Sequence, residues 1–262
     1  MISHDARGTR FYTFETFDPA LVDHAFFTRL GGHSKGPYAS LNLGGTNGDN
    51  PQDVLANHEL LFEVFGRPYE SRFDVWQVHG THIRFGDQPR PREQKHQPAD
   101  GIFTDNPEVT LVMRFADCVP IMFHDPIRGV VGIAHGGWQG TLHGIGAEAV
   151  RAAVMRYGCQ PKDLRVGLGP SICGQCYQVG QDVFNQFTTK WGQAAEQFFS
   201  NQSGALYLDL WAANEWALRQ AGIEMIEQSG ICTATNLHEW YSYRFEKGFT
   251  GRFAAVIALK RG

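Results

Sequence analysis

The sequence predicts a layered α/β fold in which helices cover a mixed β-sheet. Apolar runs of strand length alternate irregularly with helical patterns, and hairpin-length gaps separate the central runs. No internal repeat, low-complexity tract or Ser/Gly-rich linker interrupts residues 1–262. We therefore expect a single domain over the whole chain.

The first helix is expected to begin near Asn50. Asn50 can cap a helix, Pro51 suits the first helical position, and Gly66 and Pro68 end the apolar pattern. Strand-like runs follow, and the last three are nearly continuous in apolar residues, as is typical of strands covered on both faces. The predicted strands are Asp74 to Val78, His82 to Phe85, Val109 to Phe115, Val119 to His124 and Gly129 to Ala134.

A helix is predicted from Trp138 to Tyr157, where Gly158 ends it. The remaining elements are shorter. They are a strand at Leu164 to Leu168, helices at Val179 to Trp191 and Leu210 to Ala221, and strands near Ile223 and at Arg252 to Leu259.

Composition excludes several classes of function. The net charge of -4 argues against nucleic acid as the main partner, because phosphate backbones require clustered Lys and Arg. No apolar run approaches the roughly 18 residues of a membrane span, and the N-terminus shows no secretory pattern. Five cysteines, an odd number, do not suggest a disulfide framework. We therefore expect a cytoplasmic protein without a membrane partner.

Metal-capable side chains follow three apolar runs. The segments are Gln77 to Gly80, Ala116 to Pro120 and Ala134 to Gly140, and they contain His79, Cys118 and His135. Imidazole and thiolate are good zinc ligands, and three of them leave a fourth position for water or substrate. The residues alone leave alternatives open, because a single His or Cys beside a strand is more often a structural residue.

The segments QVHG, ADCVP and HGGWQG resemble the three signature segments of the YfiH/LACC1 family, the laccase-domain proteins labelled multicopper polyphenol oxidases. The resemblance extends over nearly the whole chain. Its further blocks are Thr28 to Gly32, Gly36 to Tyr38, Ser40 to Gly44, Gly48-Asp49, Gly169 to Ile172, Tyr177 to Gly180, Cys232-Thr233, Ser242 to Arg244 and Thr250 to Arg252.

This resemblance implies an α/β/β/α domain of the cysteine-hydrolase type, with zinc held by His79, Cys118 and His135. It also implies phosphorolysis of adenosine, inosine, guanosine and methylthioadenosine, together with deamination of adenosine. The sequence departs from the family pattern in HGGWQG, where Gly136 replaces an alanine and Gln139 an arginine, and at Gln178, which replaces an acid.

Zinc would lower the pKa of a water that attacks C6 of adenine, whereas phosphorolysis requires phosphate beside the ribose C1′. We assign catalysis to Cys118, His135 and Asp117. Asp117 could act as an acid or base or hold a ligand in place.

Five residues are candidates for substrate binding. Arg29 could grip phosphate through its guanidinium, with a surface ion pair as the alternative. Trp138 could stack on a base, although a core position is the more common use of such a residue. Asn42 could orient a ligand or cap the backbone, and Gln77 and Arg244 could border the site.

Three other functions remain open. A polyphenol oxidase needs many imidazoles, but the 11 histidines include no His-x-His pair; Cu²⁺ could still enter a His/Cys site. A cysteine hydrolase would use Cys118 activated by His135. A partner-binding module would use zinc structurally. Cys173 and Cys176 have CxxC spacing, which could indicate a redox pair or half of a second metal site, but no second Cys pair accompanies them, so their role stays open.

Overall fold

Two six-stranded sheets and one three-stranded sheet form the framework of the protein, seen in a computed structural model that describes residues 1–261. Gly262, which the single-domain prediction includes, lies outside the described residues. The strands are β1 Ile2–Ala6, β2 Thr9–Thr13, β3 Val22–Phe27, β4 Arg72–Phe73, β5 Ile83–Phe85, β6 Gly101–Thr104, β7 Thr110–Phe115, β8 Val119–Asp125, β9 Val130–Gly136, β10 Arg165–Leu168, β11 Gln178–Val179, β12 Phe199–Gln202, β13 Ala205–Leu208, β14 Met225–Gln228 and β15 Phe253–Leu259. The α-helices are α1 Pro51–Phe65, α2 Trp138–His143, α3 Ile145–Tyr157, α4 Gln181–Trp191 and α5 Leu210–Gln220.

The strand orders show that the sheets are mixed. The first sheet runs β1-β2-β3-β15-β7-β4, the second β14-β10-β8-β9-β6-β5, and the third β11-β13-β12. Most pairs are antiparallel, whereas β4–β7, β5–β6 and β10–β14 are parallel. The prediction of a mixed sheet in an α/β fold is therefore confirmed.

The apolar residues of the first sheet are buried on both of its faces. On one face, Phe27 and Val256 pack against Leu61 and Phe62 of α1. On the other, Phe115 and Phe253 pack in a cluster that also contains residues of the second sheet. This burial on both faces explains why strands such as β15 are continuously apolar.

The second sheet is covered in the same way. Met122 and Ile133 face the first sheet, whereas Ile121 and Phe123 belong to a cluster with residues of α3, α4 and α5. The layers are therefore helix, sheet, sheet and helix, as the family resemblance implies.

Helix α1 confirms the prediction made from its end residues. Asn50 accepts a hydrogen bond from the backbone N–H of Gln52 at 2.9 Å, and Pro51 occupies the first helical position. Gly66 ends the helix with a left-handed φ of 74°.

Two predicted elements are wrong. The helix predicted from Trp138 to Tyr157 is two helices, because Gly144 adopts a φ of 84° between α2 and α3. The strand predicted from Asp74 to Val78 is absent from the described residues apart from an isolated bridge at Trp76. There the side chain of Gln77, rather than its backbone, hydrogen-bonds the backbone of Arg114.

Among residues 1–261, no helix combines the length and apolar character needed to cross a membrane.

Candidate metal centre and its cavity

His79, Cys118 and His135 come together from three separate segments. One possible ligand atom from each residue lies within 4.8 Å of those of the other two. Cys118 directly precedes β8 and His135 lies near the end of β9, where Pro120 pairs with His135. His79 lies on the exposed loop before β5. The register of two adjacent strands thus fixes two of the side chains, and a loop supplies the third.

A fully buried carboxylate holds this loop and one imidazole together. Asp100 accepts hydrogen bonds from the backbone N–H groups of Val78 at 3.2 Å, His79 at 2.9 Å and Gly80 at 2.7 Å. Its Oδ1 also lies 2.8 Å from Nδ1 of His135. Because an ionised carboxylate only accepts hydrogen bonds, Nδ1 carries the proton, and Nε2 is left to face Cys118.

The electrostatics of the site favour a thiolate. Burial opposes ionisation of Cys118, but His135 and His79 outweigh it and lower the pKa of the thiol to about 6. Burial likewise opposes protonation of His135, but Cys118 and Asp100 raise its pKa to about 9. Without a metal, Cys118 and His135 therefore form a thiolate–imidazolium pair. A metal would displace the imidazolium proton.

The three side chains fit a metal ion. Zn–N bonds of about 2.1 Å and Zn–S bonds of about 2.3 Å place these tetrahedral ligand atoms ~3.4–3.6 Å apart, and the ligand atoms here lie within 4.8 Å of one another. Gly137 leaves room beside them, since a Cβ there would lie 3.0 Å from Cδ2 of His79 and 3.1 Å from Sγ of Cys118. His79 and Asp117 have left-handed φ values of 61° and 83°, a conformation that non-glycine residues adopt mainly at constrained sites.

The candidate metal centre opens into a cavity of about 670 Å³. This volume lies in the range of small-molecule sites. The lining residues include Leu43, Gly44, Gly45, Thr46, His58, Tyr69, Arg72, Asp74, Val75, Trp76, Gln77, His79, Arg90, His96, Arg114, Phe115, Ala116, Cys118, His135, Tyr243 and Arg252. Four arginines and one aspartate in this set give the cavity an excess of positive charge.

Asp74 holds two of these arginines and one histidine of the cavity. Its carboxylate lies 2.7 Å from Nε of Arg90, 3.0 Å from Nη1 of Arg114 and 2.8 Å from Nε2 of His96. Burial opposes ionisation, but these partners hold the pKa of Asp74 well below its usual range. Arg72 is 4% exposed and stacks 4.1 Å from the Tyr69 ring, with no carboxylate within 4.0 Å among residues 1–261. A buried guanidinium without a carboxylate partner is suited to an anion.

Asp117 directs both carboxylate oxygens away from the ligand atoms. Oδ1 accepts a hydrogen bond from Oγ1 of Thr233 at 2.7 Å, and Oδ2 accepts one from the backbone N–H of Arg244 at 2.6 Å. Burial raises the pKa of Asp117 against the effect of these bonds. Asp117 therefore holds the backbone next to Cys118.

Gln77 is the one predicted substrate residue among the described residues that line the cavity. Its amide exchanges two hydrogen bonds, of 2.8 and 3.0 Å, with the backbone of Arg114. Arg244 lies outside the cavity lining, with its guanidinium carbon 4.7 Å from the centre of the Tyr177 ring. Trp138 packs against the core between the second sheet and its helices.

Arg29 and Asn42 are already engaged within the protein. The Arg29 guanidinium hydrogen-bonds Glu246 at 3.0 Å and the carbonyl of Ala39 at 2.8 Å, and it lies 4.3 Å from the Tyr241 ring centre. Asn42 is fully buried and accepts the backbone N–H of Arg252 at 2.8 Å.

The sequence interpretation missed Asp100 and the cavity arginines. Asp100 precedes an apolar run in PADGIF, and a carboxylate at the start of a buried strand was the available signal. Arg252 lies in the Thr250 to Arg252 block that carried part of the resemblance. Arg72, Arg90 and Arg114 had no distinguishing local pattern.

Comparison with known proteins agrees with this architecture. Residues 23–260 match the family described as multi-copper polyphenol oxidoreductase laccase. The chain is 38% identical to "Purine nucleoside phosphorylase" of Deinococcus radiodurans over 92% of this chain and 90% of the relative. It is 33% identical to "Purine nucleoside phosphorylase YfiH" of Escherichia coli over 88% and 91%. The crystal structure of YlmD from Geobacillus stearothermophilus superposes with a TM-score of 0.91 at 34% identity, covering 98% of both chains. The chain therefore belongs to the multi-copper polyphenol oxidoreductase laccase family and is a relative of YfiH and YlmD.

Proposed function

We propose that this chain is a zinc-dependent purine nucleoside phosphorylase that also deaminates adenosine, with adenosine, inosine, guanosine and methylthioadenosine as substrates. The names of its relatives support the first activity. The observation that carries the proposal is the position of the His79, Cys118 and His135 cluster at a cavity of nucleoside size with an excess of arginine.

A zinc ion held by these three side chains would act as a Lewis acid and lower the pKa of water at its open position. Asp100 fixes the orientation of His135 and holds the His79 backbone in reach of the other ligands. Asp117 has a positioning role, since its oxygens are engaged by Thr233 and Arg244.

Phosphorolysis breaks the bond between the ribose C1′ and the base nitrogen and forms a bond from C1′ to a phosphate oxygen, with the electron pair leaving on the base. The cavity arginines supply the charge that holds phosphate for this step. We assign this part to Arg72, because it has no carboxylate partner among residues 1–261. The predicted phosphate contact of Arg29 is not part of this assignment, because Arg29 lies outside the cavity lining and Glu246 already neutralises it.

The activity is tested with the full-length chain, adenosine and phosphate, with and without added zinc. Chromatography resolves adenine, inosine, hypoxanthine and ribose-1-phosphate. We expect adenine and ribose-1-phosphate to depend on phosphate, and inosine to form without it. Cys118→Ser and His79→Ala should abolish both reactions, whereas Cys159→Ser and His238→Ala, the latter at a 73% exposed side chain, should retain them. If zinc-saturated protein forms none of these products, the proposal is wrong.

The phosphate assignment has its own test. Arg72→Met should raise the KM for phosphate about 10–100-fold, the equivalent of one charge-assisted hydrogen bond of about 1.5–3 kcal/mol, and leave deamination unchanged. Arg92→Met is the matched control, because Arg92 also approaches the Tyr69 ring, at 5.9 Å, but is exposed. An unchanged KM for phosphate would exclude Arg72 from the phosphate site.

A cysteine hydrolase is the second candidate, because Cys118, His135 and Asp100 form a thiolate–imidazolium–carboxylate series. That activity would survive chelation and be lost on alkylation. A metal enzyme would be inactivated by a strong chelator and recovered with zinc.

A further inference from the structure

Three cysteines outside the cavity form a second cluster of thiols. The Sγ atoms of Cys173, Cys176 and Cys232 all lie within 4.8 Å of one another. Cys173 and Cys232 are buried, and Cys176 is half-buried. The CxxC pair thus gains a third thiol from a segment distant in sequence.

The local backbone explains how the thiols meet. The N–H groups of Cys176 and Tyr177 both donate to the carbonyl of Cys173, at 3.0 and 3.1 Å, so the CxxC segment forms a tight turn that brings its two thiols together. Ser171 forms a parallel bridge with Cys232, which brings the second segment alongside. The backbone N–H of Cys173 then donates to Sγ of Cys232 at 3.4 Å.

We propose that Cys173, Cys176 and Cys232 form a second metal site, for a thiophilic cation such as zinc(II) or copper(I). Zinc bound by thiolates at about 2.3 Å requires S–S separations of ~3.8 Å, which small side-chain movements provide here. CxxC in a turn is the usual zinc-binding spacing, and soft thiolates select these two ions. Because Cys176 is only half-buried, an ion can reach the site from solvent at this residue.

Cys159 shows what a structural cysteine looks like in this protein. It is fully buried in the cluster between the second sheet and its helices and belongs to neither metal-capable group among the described residues. Cys173 and Cys232 belong to the same apolar cluster, and Cys176 packs against it, but unlike Cys159 these three thiols also lie within 4.8 Å of one another.

The cluster is also connected to the candidate metal centre. The N–H of Ile172 donates to the carbonyl of Asp117 at 3.0 Å, and Thr233 donates to its carboxylate at 2.7 Å. Both segments that carry the thiols therefore contact the residue before Cys118. An ion in the second site would cross-link these two segments behind the first.

The test uses metal alone and the reduced, metal-free full chain, so it is independent of any activity on nucleosides. Zinc titration against a chromophoric chelator should give two equivalents for the wild type and one for Cys118→Ser. Cobalt(II) bound to Cys118→Ser should still show a near-ultraviolet thiolate charge-transfer band. Adding Cys176→Ser should remove this band and the remaining equivalent, whereas adding Cys159→Ser should retain both. A parallel titration with copper(I) shows which ion the thiols prefer.

Circular dichroism checks that each variant is folded. If the variant that carries Cys176→Ser does not fold, the zinc stoichiometry and the thiolate band of Cys118→Ser alone test the proposal, because Cys118→Ser retains the second cluster intact. Binding of neither ion by Cys118→Ser overturns the proposal. Loss of two mass units on mild treatment with hydrogen peroxide, without metal uptake, would identify a dithiol–disulfide pair instead and also overturn it.

Discussion

Replacement of Asp100 by asparagine removes the carboxylate that orients the candidate metal centre. Oδ1 of Asp100 serves the N–H of His79 and Nδ1 of His135, and Oδ2 serves the N–H groups of Val78 and Gly80. An asparagine has only one side-chain oxygen. In one orientation its amide nitrogen faces the N–H of His79 and Nδ1 of His135, and in the other it faces the N–H groups of Val78 and Gly80. Two charge-assisted hydrogen bonds are lost in both orientations.

At about 1.5–3 kcal/mol for each bond, the change should lower the free energy of unfolding by ~3–6 kcal/mol. The expected loss in the free energy of metal binding is smaller. Loss of a carboxylate partner behind a histidine ligand lowers metal affinity about 10–100-fold, or ~1.4–2.8 kcal/mol.

Urea unfolding of the metal-free protein measures the first quantity, and zinc competition with a chromophoric chelator measures the second. Asp105→Asn is the control, because Asp105 is exposed and close in sequence. A folded Asp100→Asn protein that binds zinc at the His79, Cys118 and His135 site as tightly as the wild type would refute the assigned role of Asp100.

Two further changes have defined outcomes. Gly137→Ala should weaken zinc binding at least 10-fold, because the added Cβ would lie 3.0 Å from the His79 ring. Gly45→Ala is the control, since its Cβ would have nothing within 4 Å. Equal zinc affinities of the two variants in chelator competition would contradict this prediction. Burial lowers the pKa of His24 to about 3 and that of His124 to about 4. In the unfolded chain these histidines are protonated below about pH 6.5, whereas in the folded protein they stay neutral. The free energy of unfolding should therefore fall as the pH decreases below about 6.5, by about 2 kcal/mol per histidine at pH 5. In urea unfolding, His124→Gln should reduce the difference in stability between about pH 7.5 and pH 5 by ~2 kcal/mol, and an unchanged difference would exclude this cause.

Elements with local signals were predictable from the sequence. Asn50, Pro51 and Gly66 mark helix α1 through contacts made within a few residues of each end. The strands β7, β8 and β9 were predictable because burial on both faces leaves continuous apolar runs. The family resemblance supplied the order of layers, which local patterns do not determine.

Elements that depend on distant partners were not predicted. The first three strands are stabilised by pairing of β3 with β15, more than 200 residues away. The exposed and half-buried residues of β1 and β2 give little periodicity. Gly144 divides a segment whose neighbouring residues favour one continuous helix. This break was not predicted, because the left-handed φ of Gly144 is seen only in the folded chain. Asp100 and Cys232 were missed for the same reason, since each acquires its partners only when separate segments meet.

The candidate metal ligands differ in how firmly the fold holds them. Cys118 and His135 flank paired strands, whereas His79 lies on an exposed loop in a left-handed conformation. Release of His79 requires only that its loop leave Asp100, and the two remaining ligands stay in register. If this loop opened, Cys118 and His135 would still be held in place for an ion, so the rate of loop opening would govern how fast the centre loads and empties.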